Sequence, residues 1–475
     1  MRHMENKNLK GGEKMEYSAD MPAQEIWFRE PDLELLQKKA ITTTIRLGNR
    51  QDGVCEAKGC YFPGYFVAAK IVTDPQSKKF ADWQADLVII RNQLKNWQEI
   101  NDQDLQGSLP GQNSKKKLKE YLEQIYGRHL TDKDLFSIIN FEYKDNLATA
   151  SDLIRVNALS IAQTPEENPD NFDFEHLTIP LIAEDYPAKT PIMWNSAYRQ
   201  FGIKAGNVML VGDPAQASHI LDVLRKDPKF KGGGAGVGFK DTTIDCLDEL
   251  DPLAEAVGSI NFILKTETNQ LKGYNTDGLG YAMSLEQKGV EIKGKKIVIL
   301  GAGGTGNAIA FALAQKGAHL VILNRTVFKA QSLAEKINAY YGQNLAKAGG
   351  EDLIAKQVKD ADVIINVSTK GSQGSMEKYN ALASANKDWQ ENQLQAEKVM
   401  AKIPKTTIIS DIVLTKKATP LLEMAQKQNR PTLDGLGMVI NQGVESFWLL
   451  YQKELAAKNI NKKQVFEVMK KAAGL

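Results

Sequence analysis

Short apolar runs alternate with amphipathic stretches over most of the second half of the chain. Lys296–Leu300, His319–Asn324, Val363–Val367 and Thr407–Val413 are continuous apolar runs of the kind buried on both faces of a sheet. Between them, Gly306–Lys316 and Val327–Tyr340 carry apolar residues at helical spacing. Upstream, Ile179–Ala183, Val208–Val211 and Ile260–Lys265 read as strands, and Pro191–Phe201 and Ala215–Arg225 as helices. Such alternation predicts α/β layers. A helical stretch from Val439 to Ala473 closes the chain.

The first third is less regular and predicts an α+β domain. Asp32–Ala40 and Ser114–Tyr126 read as helices, and Ile41–Arg46, Tyr65–Val72 and Asp152–Ala162 as strands. Four segments result: a polar tail over 1–20, expected to be disordered; an α+β domain over 21–165; an α/β domain over 177–283 joined by 435–475; and a second α/β domain over 290–434.

Composition narrows the class. Of 475 residues, 42% are hydrophobic and 25% charged, with a net charge of +2, as in ordinary globular domains without a strong field. The three cysteines, Cys55, Cys60 and Cys246, are too few for a disulfide framework and suit a reducing, cytoplasmic setting. Cys55 and Cys60 lack the partners that would complete a zinc site, so no metal is expected. Neither a membrane span nor a secretory signal is legible.

The densest chemical signal is Gly301, Ala302, Gly303, Gly304, Thr305 and Gly306, directly after an apolar strand and opening a helix. That context is what a dinucleotide pyrophosphate requires: a tight turn, close backbone approach, and free N–H groups at a helix start. The second strand ends in Asn324, Arg325 and Thr326, with Lys329 a turn later. An NAD enzyme usually carries an acidic residue there, whereas a guanidinium suits an adenosine 2′-phosphate, so the expected cofactor is NADP.

Further motifs resemble the shikimate/quinate dehydrogenase family. Gly273-Tyr-Asn275-Thr-Asp277-Gly278 resembles its GxNTDG signature, and Gly258-Ser-Ile-Asn261 and Asn366-Val367-Ser-Thr resemble two further elements. Asp434-Gly-Leu-Gly-Met438, with Gln442 and Phe447, matches the closing pattern. The resemblance runs from about Thr178 to the C-terminus. It implies a substrate domain plus a Rossmann domain, with Lys240 and Asp277 at the reacting alcohol. It also implies Val367 and Met438 beside the cofactor, and Thr190, Asn261 and Gln442 beside the substrate. The activity implied is hydride transfer between NADP(H) and a cyclic secondary alcohol or ketone. A homodimer is left open.

Several positions depart from the family pattern. Glycines at 234 and 236 replace an asparagine and a threonine. Ala188 and Thr190 stand where paired serines are usual, Leu414 replaces a tyrosine, and Phe262 replaces a threonine. These changes remove hydrogen bonds that would grip shikimate, and imply a bulkier or less polar substrate. The run Gly233–Gly238 also has the spacing of a phosphate loop. Phe239 intrudes before Lys240, however, and Asp241 replaces the hydroxyl that would hold magnesium, so nucleotide hydrolysis is rejected.

The segment Lys38–Arg46, with Pro63-Gly64, faintly resembles ASCH/PUA-like barrels, some of which bind RNA. Residues 1–165 carry 23 Lys and Arg against 23 Asp and Glu, so the basic excess of a nucleic-acid surface is missing. A sensor or RNA-binding protein derived from a dehydrogenase is the alternative reading. Retention of both Lys240 and Asp277 favours the enzyme.

Overall fold

Parallel strands need long crossovers, and the helical segments between the C-terminal apolar runs supply them. In the computed structural model the six strands Ala346–Gly349, His319–Leu323, Lys296–Leu300, Val363–Asn366, Ile408–Asp411 and Thr432–Asp434 lie side by side in that order, all parallel. The order reverses between Lys296–Leu300 and Val363–Asn366, the switch point at which open α/β sheets bind ligands. The helices Gly304–Gln315 and Val327–Tyr341 pack on one face, around Ile299, Ile309, Phe311 and Ile337. Helix Trp389–Met400 covers the other, around Val298, Ile364 and Met400.

The residues described are 25–47, 66–74, 79–110, 112–150, 152–153, 175–183, 189–385, 388–415 and 417–474. They fall into two compact units, one within 1–159 and 210–224, the other within 160–209 and 225–475. In the second unit a mixed six-stranded sheet precedes the parallel one. Its order is Glu249–Leu250, Leu271–Tyr274, Phe262–Lys265, Phe230–Gly234, His176–Thr178 and Ala205–Asn207. The terminal helices Leu436–Ala457 and Lys462–Ala472 share a core with Thr190–Phe201, where Trp194, Tyr198, Phe447 and Tyr451 pack edge to face or tilted.

The first unit holds a five-stranded sheet ordered Glu25–Arg29, Phe66–Asp74, Lys79–Asn96, Leu135–Tyr143 and Thr43–Leu47, antiparallel except for its first pair. The 18-residue strand Lys79–Asn96 escapes sequence reading because its first half is half-exposed and polar. The strand expected at Asp152–Ala162 is a correction. Asp152 and Leu153 are helical, and the rest lies outside the described residues. The amide of Thr149 donates to Asp152 at 2.9 Å and that of Asp152 to the Thr149 hydroxyl at 3.2 Å, a reciprocal cap that starts a helix. Cys55 and Cys60 also lie outside the described residues, among which no group of three or more His, Cys, Asp or Glu is placed to hold a metal. Among those residues no helix is long and apolar enough to cross a membrane.

Candidate active site

Asp277 opens the helix Asp277–Gln287, which puts its carboxylate at the positive end of the helix. This helix is wedged between two others. A side chain at Gly278 would meet the backbone oxygen of Ala308 at 2.0 Å, and one at Gly280 the backbone nitrogen of Gln442 at 2.6 Å. The carboxylate is thereby fixed against both the nucleotide-lobe helix Gly304–Gln315 and the terminal helix Leu436–Ala457.

Lys240 reaches it from the turn that follows strand Phe230–Gly234. Its Nζ donates to Asp277 Oδ2 at 2.5 Å, with side-chain exposures of 29% and 9%, so the pair is shielded yet not sealed from solvent. Buried Phe239 anchors the turn, where the Thr243 hydroxyl donates to its carbonyl at 2.6 Å. The other carboxylate oxygen accepts from Asn261 Nδ2 at 2.9 Å. That amide group also donates to the Thr276 hydroxyl at 2.9 Å and to Gln442 Oε1 at 3.2 Å, and Asn261 Oδ1 accepts from the Thr276 amide at 2.8 Å. Thr276 in turn shares a 3.0 Å bond with Ser446. Asn261 and Gln442, expected at the substrate, are thus drawn into the support of Asp277. Thr190 opens its helix half-buried, and among the described residues no hydrogen bond joins it to this cluster.

The dinucleotide loop is built as its motif requires. Gly301 turns at φ +125°, with Ser368 and Val367 at 3.0 Å from any side chain there. Ala302 is half-buried, and Gly306 lies close against Val367. Gly303 and Gly304 are exposed, with nothing within 4 Å of a side chain at Gly303. Helix Gly304–Gln315 begins without a side-chain cap, leaving N–H groups at its start for an anion. Thr305, in its first turn, is half-buried. Beside the loop, the Ser259 hydroxyl is buried without a partner, 3.2 Å from where a side chain at Gly304 would begin. An open cradle and an orphaned hydroxyl both fit a bound dinucleotide. Ser259 was missed by sequence reading, although it stands in the quoted Gly258–Asn261 element.

Asn324 Nδ2 donates to the carbonyl of Thr326 at 2.9 Å and shapes the turn after the second strand. Arg325, Thr326 and Lys329 are exposed there. Arg325 lines a cavity of about 420 Å³ with Val327, Glu351, Ile354, Ala383 and Ser384. Met438 is buried in the nucleotide-lobe core. Below Val367, Asn366 Nδ2 donates to Asp411 Oδ1 at 3.0 Å. Burial pushes Asp411 up to about 6, against hydrogen bonds from Thr419, Val413 and Asn366.

One expectation changes. Phe262 is buried in the core, 5.9 Å from the Trp194 ring, and does not mark a lost substrate contact. A branched polar residue at 262 would lose this ring packing, so the departure concerns the core. The glycine run at 232–234 lies in an interior strand paired on both sides, and no helix opens directly after it, in keeping with the rejected phosphate-loop reading.

Comparison with known proteins follows the same lines. The family described as shikimate / quinate 5-dehydrogenase matches residues 284–396, and its substrate-binding domain matches residues 186–263. A shikimate dehydrogenase (NADP(+)) of Alkaliphilus metalliredigens is 31% identical over 283 residues, covering 58% of this chain and 93% of the relative. Among solved structures, shikimate 5-dehydrogenase from Listeria monocytogenes, in complex with shikimate and NAD, is 25% identical. The match has a TM-score of 0.52 and covers 62% of this chain and 96% of that one. The 5-ketofructose reductase of a Gluconobacter species is also 25% identical, with a TM-score of 0.50, covering 63% and 99%. The chain belongs to the shikimate/quinate dehydrogenase family.

Proposed function

We propose that this NADP-dependent oxidoreductase acts on a cyclic secondary alcohol or its ketone, and that its substrate is less polar than shikimate. The observation that carries the reading is the Lys240–Asp277 pair, held at 2.5 Å while Asn261 ties down the second carboxylate oxygen. Oxidising a secondary alcohol requires its hydroxyl proton to leave, and the reverse requires a donor at the forming alkoxide. In this reading the Lys240 amine takes that proton in oxidation, the ammonium so formed hydrogen-bonds the reacting oxygen and gives the proton back in reduction, and Asp277 orients the amine and balances its charge. Asn261, Thr276 and Gln442 position Asp277. NADP(H), when bound, supplies the hydride acceptor or donor. Gly301 to Gly306 and the helix start would hold its pyrophosphate, Ser259 would bond beside it, and Arg325 with Lys329 would face the 2′-phosphate.

The substrate reading rests on what surrounds Lys240. Gly234 has room for a side chain, with its nearest neighbours at 3.6 Å, yet offers none. Val237, three residues before Lys240 in the same turn, is 52% exposed and offers an apolar group beside it, and Leu414, at a position where the family carries tyrosine, is 49% exposed. The likeness to a 5-ketofructose reductase supports a scaffold open to substrates other than shikimate.

The test is to mix the protein with NADP⁺ or NAD⁺ and a panel of shikimate, quinate and less polar cyclic alcohols, following absorbance at 340 nm. Faster reduction of NADP⁺, with a less polar alcohol turned over better than shikimate, is expected. Shikimate as the best substrate would overturn the substrate reading, and a preference for NAD⁺ would overturn the cofactor reading.

A further inference from the structure

The wall of the Arg325 cavity holds a charge that a phosphate would meet. Glu351 lines this cavity, its side chain 15% exposed. A bare carboxylate there would repel a 2′-phosphate and compete for the guanidinium meant to bind it. Among the described residues Arg325 makes no ion pair or hydrogen bond with Glu351 or with Asp352, which lines the same cavity. Glu351 is occupied instead by Lys370, whose Nζ donates to Glu351 Oε1 at 2.7 Å and to the carbonyl of Ala383 at 2.6 Å.

The topology makes this pairing specific. Glu351 follows strand Ala346–Gly349, and Lys370 follows strand Val363–Asn366. The two strands between them, His319–Leu323 and Lys296–Leu300, carry Arg325 and the Gly301 loop. The ion pair therefore straps the carboxyl edge of the sheet across both cofactor-facing turns. The turn bearing Lys370 is itself fixed, since Asn366 Nδ2 donates to the Lys370 carbonyl at 2.9 Å. Burial lowers the Lys370 amine from its ordinary value against the pull of Glu351. The charge of Arg325 acts in the same direction as burial, so the two cations lie within electrostatic reach.

We infer that Lys370 is a positioning residue for cofactor choice: it neutralises Glu351 and so leaves Arg325 free for the 2′-phosphate of NADP. This rests on the NADP reading above. Lys370 touches no reacting atom, and its effect falls on the one group that distinguishes NADP from NAD.

The experiment measures dissociation constants of NADP⁺ and NAD⁺ by isothermal titration calorimetry on full-length wild type, Lys370→Met, Glu351→Gln and the double variant, with melting curves to check folding. Lys370→Met should weaken NADP⁺ roughly tenfold or more and leave NAD⁺ within about threefold, because only the 2′-phosphate meets the released carboxylate. Glu351→Gln should bind NADP⁺ at least as tightly as wild type, and the double variant should recover most of the loss. Equal weakening of both nucleotides, or no rescue in the double variant, would overturn the inference. If Lys370→Met does not fold, Glu351→Gln decides alone: selective loss of NADP⁺ affinity contradicts the inference, and retained or tighter binding supports it. A wild type that prefers NAD⁺ overturns the NADP reading and this inference together. A wild type that prefers NADP⁺, with an unchanged preference in Lys370→Met, overturns this inference alone.

Discussion

Two glycine-rich runs lie in the second unit, and they differ in what their glycines are for. In the run at 232–234 a side chain at Gly233 would meet the backbone oxygen of Ile179 at 2.0 Å, so glycine is demanded by a neighbouring chain segment. One position later, Gly234 has ordinary clearance and glycine is not demanded at all. In the run at 301–306, Gly301 is fixed by its turn, while Gly303 faces open space beside an uncapped helix start. Composition is shared, but only the second run sits between a buried strand and a helix. Context decides which glycine packs, which turns, and which leaves room for a ligand.

Substitutions at these positions test that contrast. Gly233→Ala should lose about 3 kcal/mol or fail to fold, because the obstacle is backbone that must move. Urea denaturation monitored by circular dichroism measures this, and wild-type stability would dissolve the distinction.

The floor under the second run gives the next effect. Asp411 has a folded-state value of about 6, above its ordinary 3.8. The folded state therefore holds its proton more tightly, and this contribution to stability is complete below about pH 3.8 and lost as pH rises through about 6. The shift corresponds to about 3 kcal/mol at most. Asp411→Asn keeps an acceptor for Asn366 and Val413 and can donate to Thr419. It should be more stable than wild type at pH 7, by about 1–3 kcal/mol, with little advantage at pH 4. Denaturation midpoints at both pH values would show it.

Gly303→Ala should change stability by less than about 1 kcal/mol yet weaken NADP⁺ roughly tenfold, since its methyl enters space left for phosphate. The smallest cost is expected for Gly234→Asn, under about 1 kcal/mol. It restores a polar side chain at a family position, so kcat/KM for shikimate should rise relative to less polar alcohols.

Much of this was legible in the sequence where the code is local. The strand Lys296–Leu300, its glycine turn and the helix after it are set by adjacent residues, and Lys240 and Asp277 were reached through the motifs around them. Beyond that pair, which the family resemblance implied, partners distant in sequence were not legible. Nothing near Lys370 announces Glu351, and the bond of Asn261 to Asp277 depends on tertiary placement. Phe262 serves the core and not the substrate because the register of its strand decides which face it takes, and that register is not local. In the first unit, Lys79–Asn96 is a strand because its neighbours pair with it, not because its own pattern alternates cleanly.

The most direct measurement is steady-state turnover of Lys240→Ala beside its NADP⁺ dissociation constant, using the best alcohol found in the panel. Turnover reduced by about 10²–10⁴-fold with nearly unchanged nucleotide affinity is the predicted result. Turnover within a few-fold of wild type would contradict the assignment of proton transfer to the Lys240–Asp277 pair.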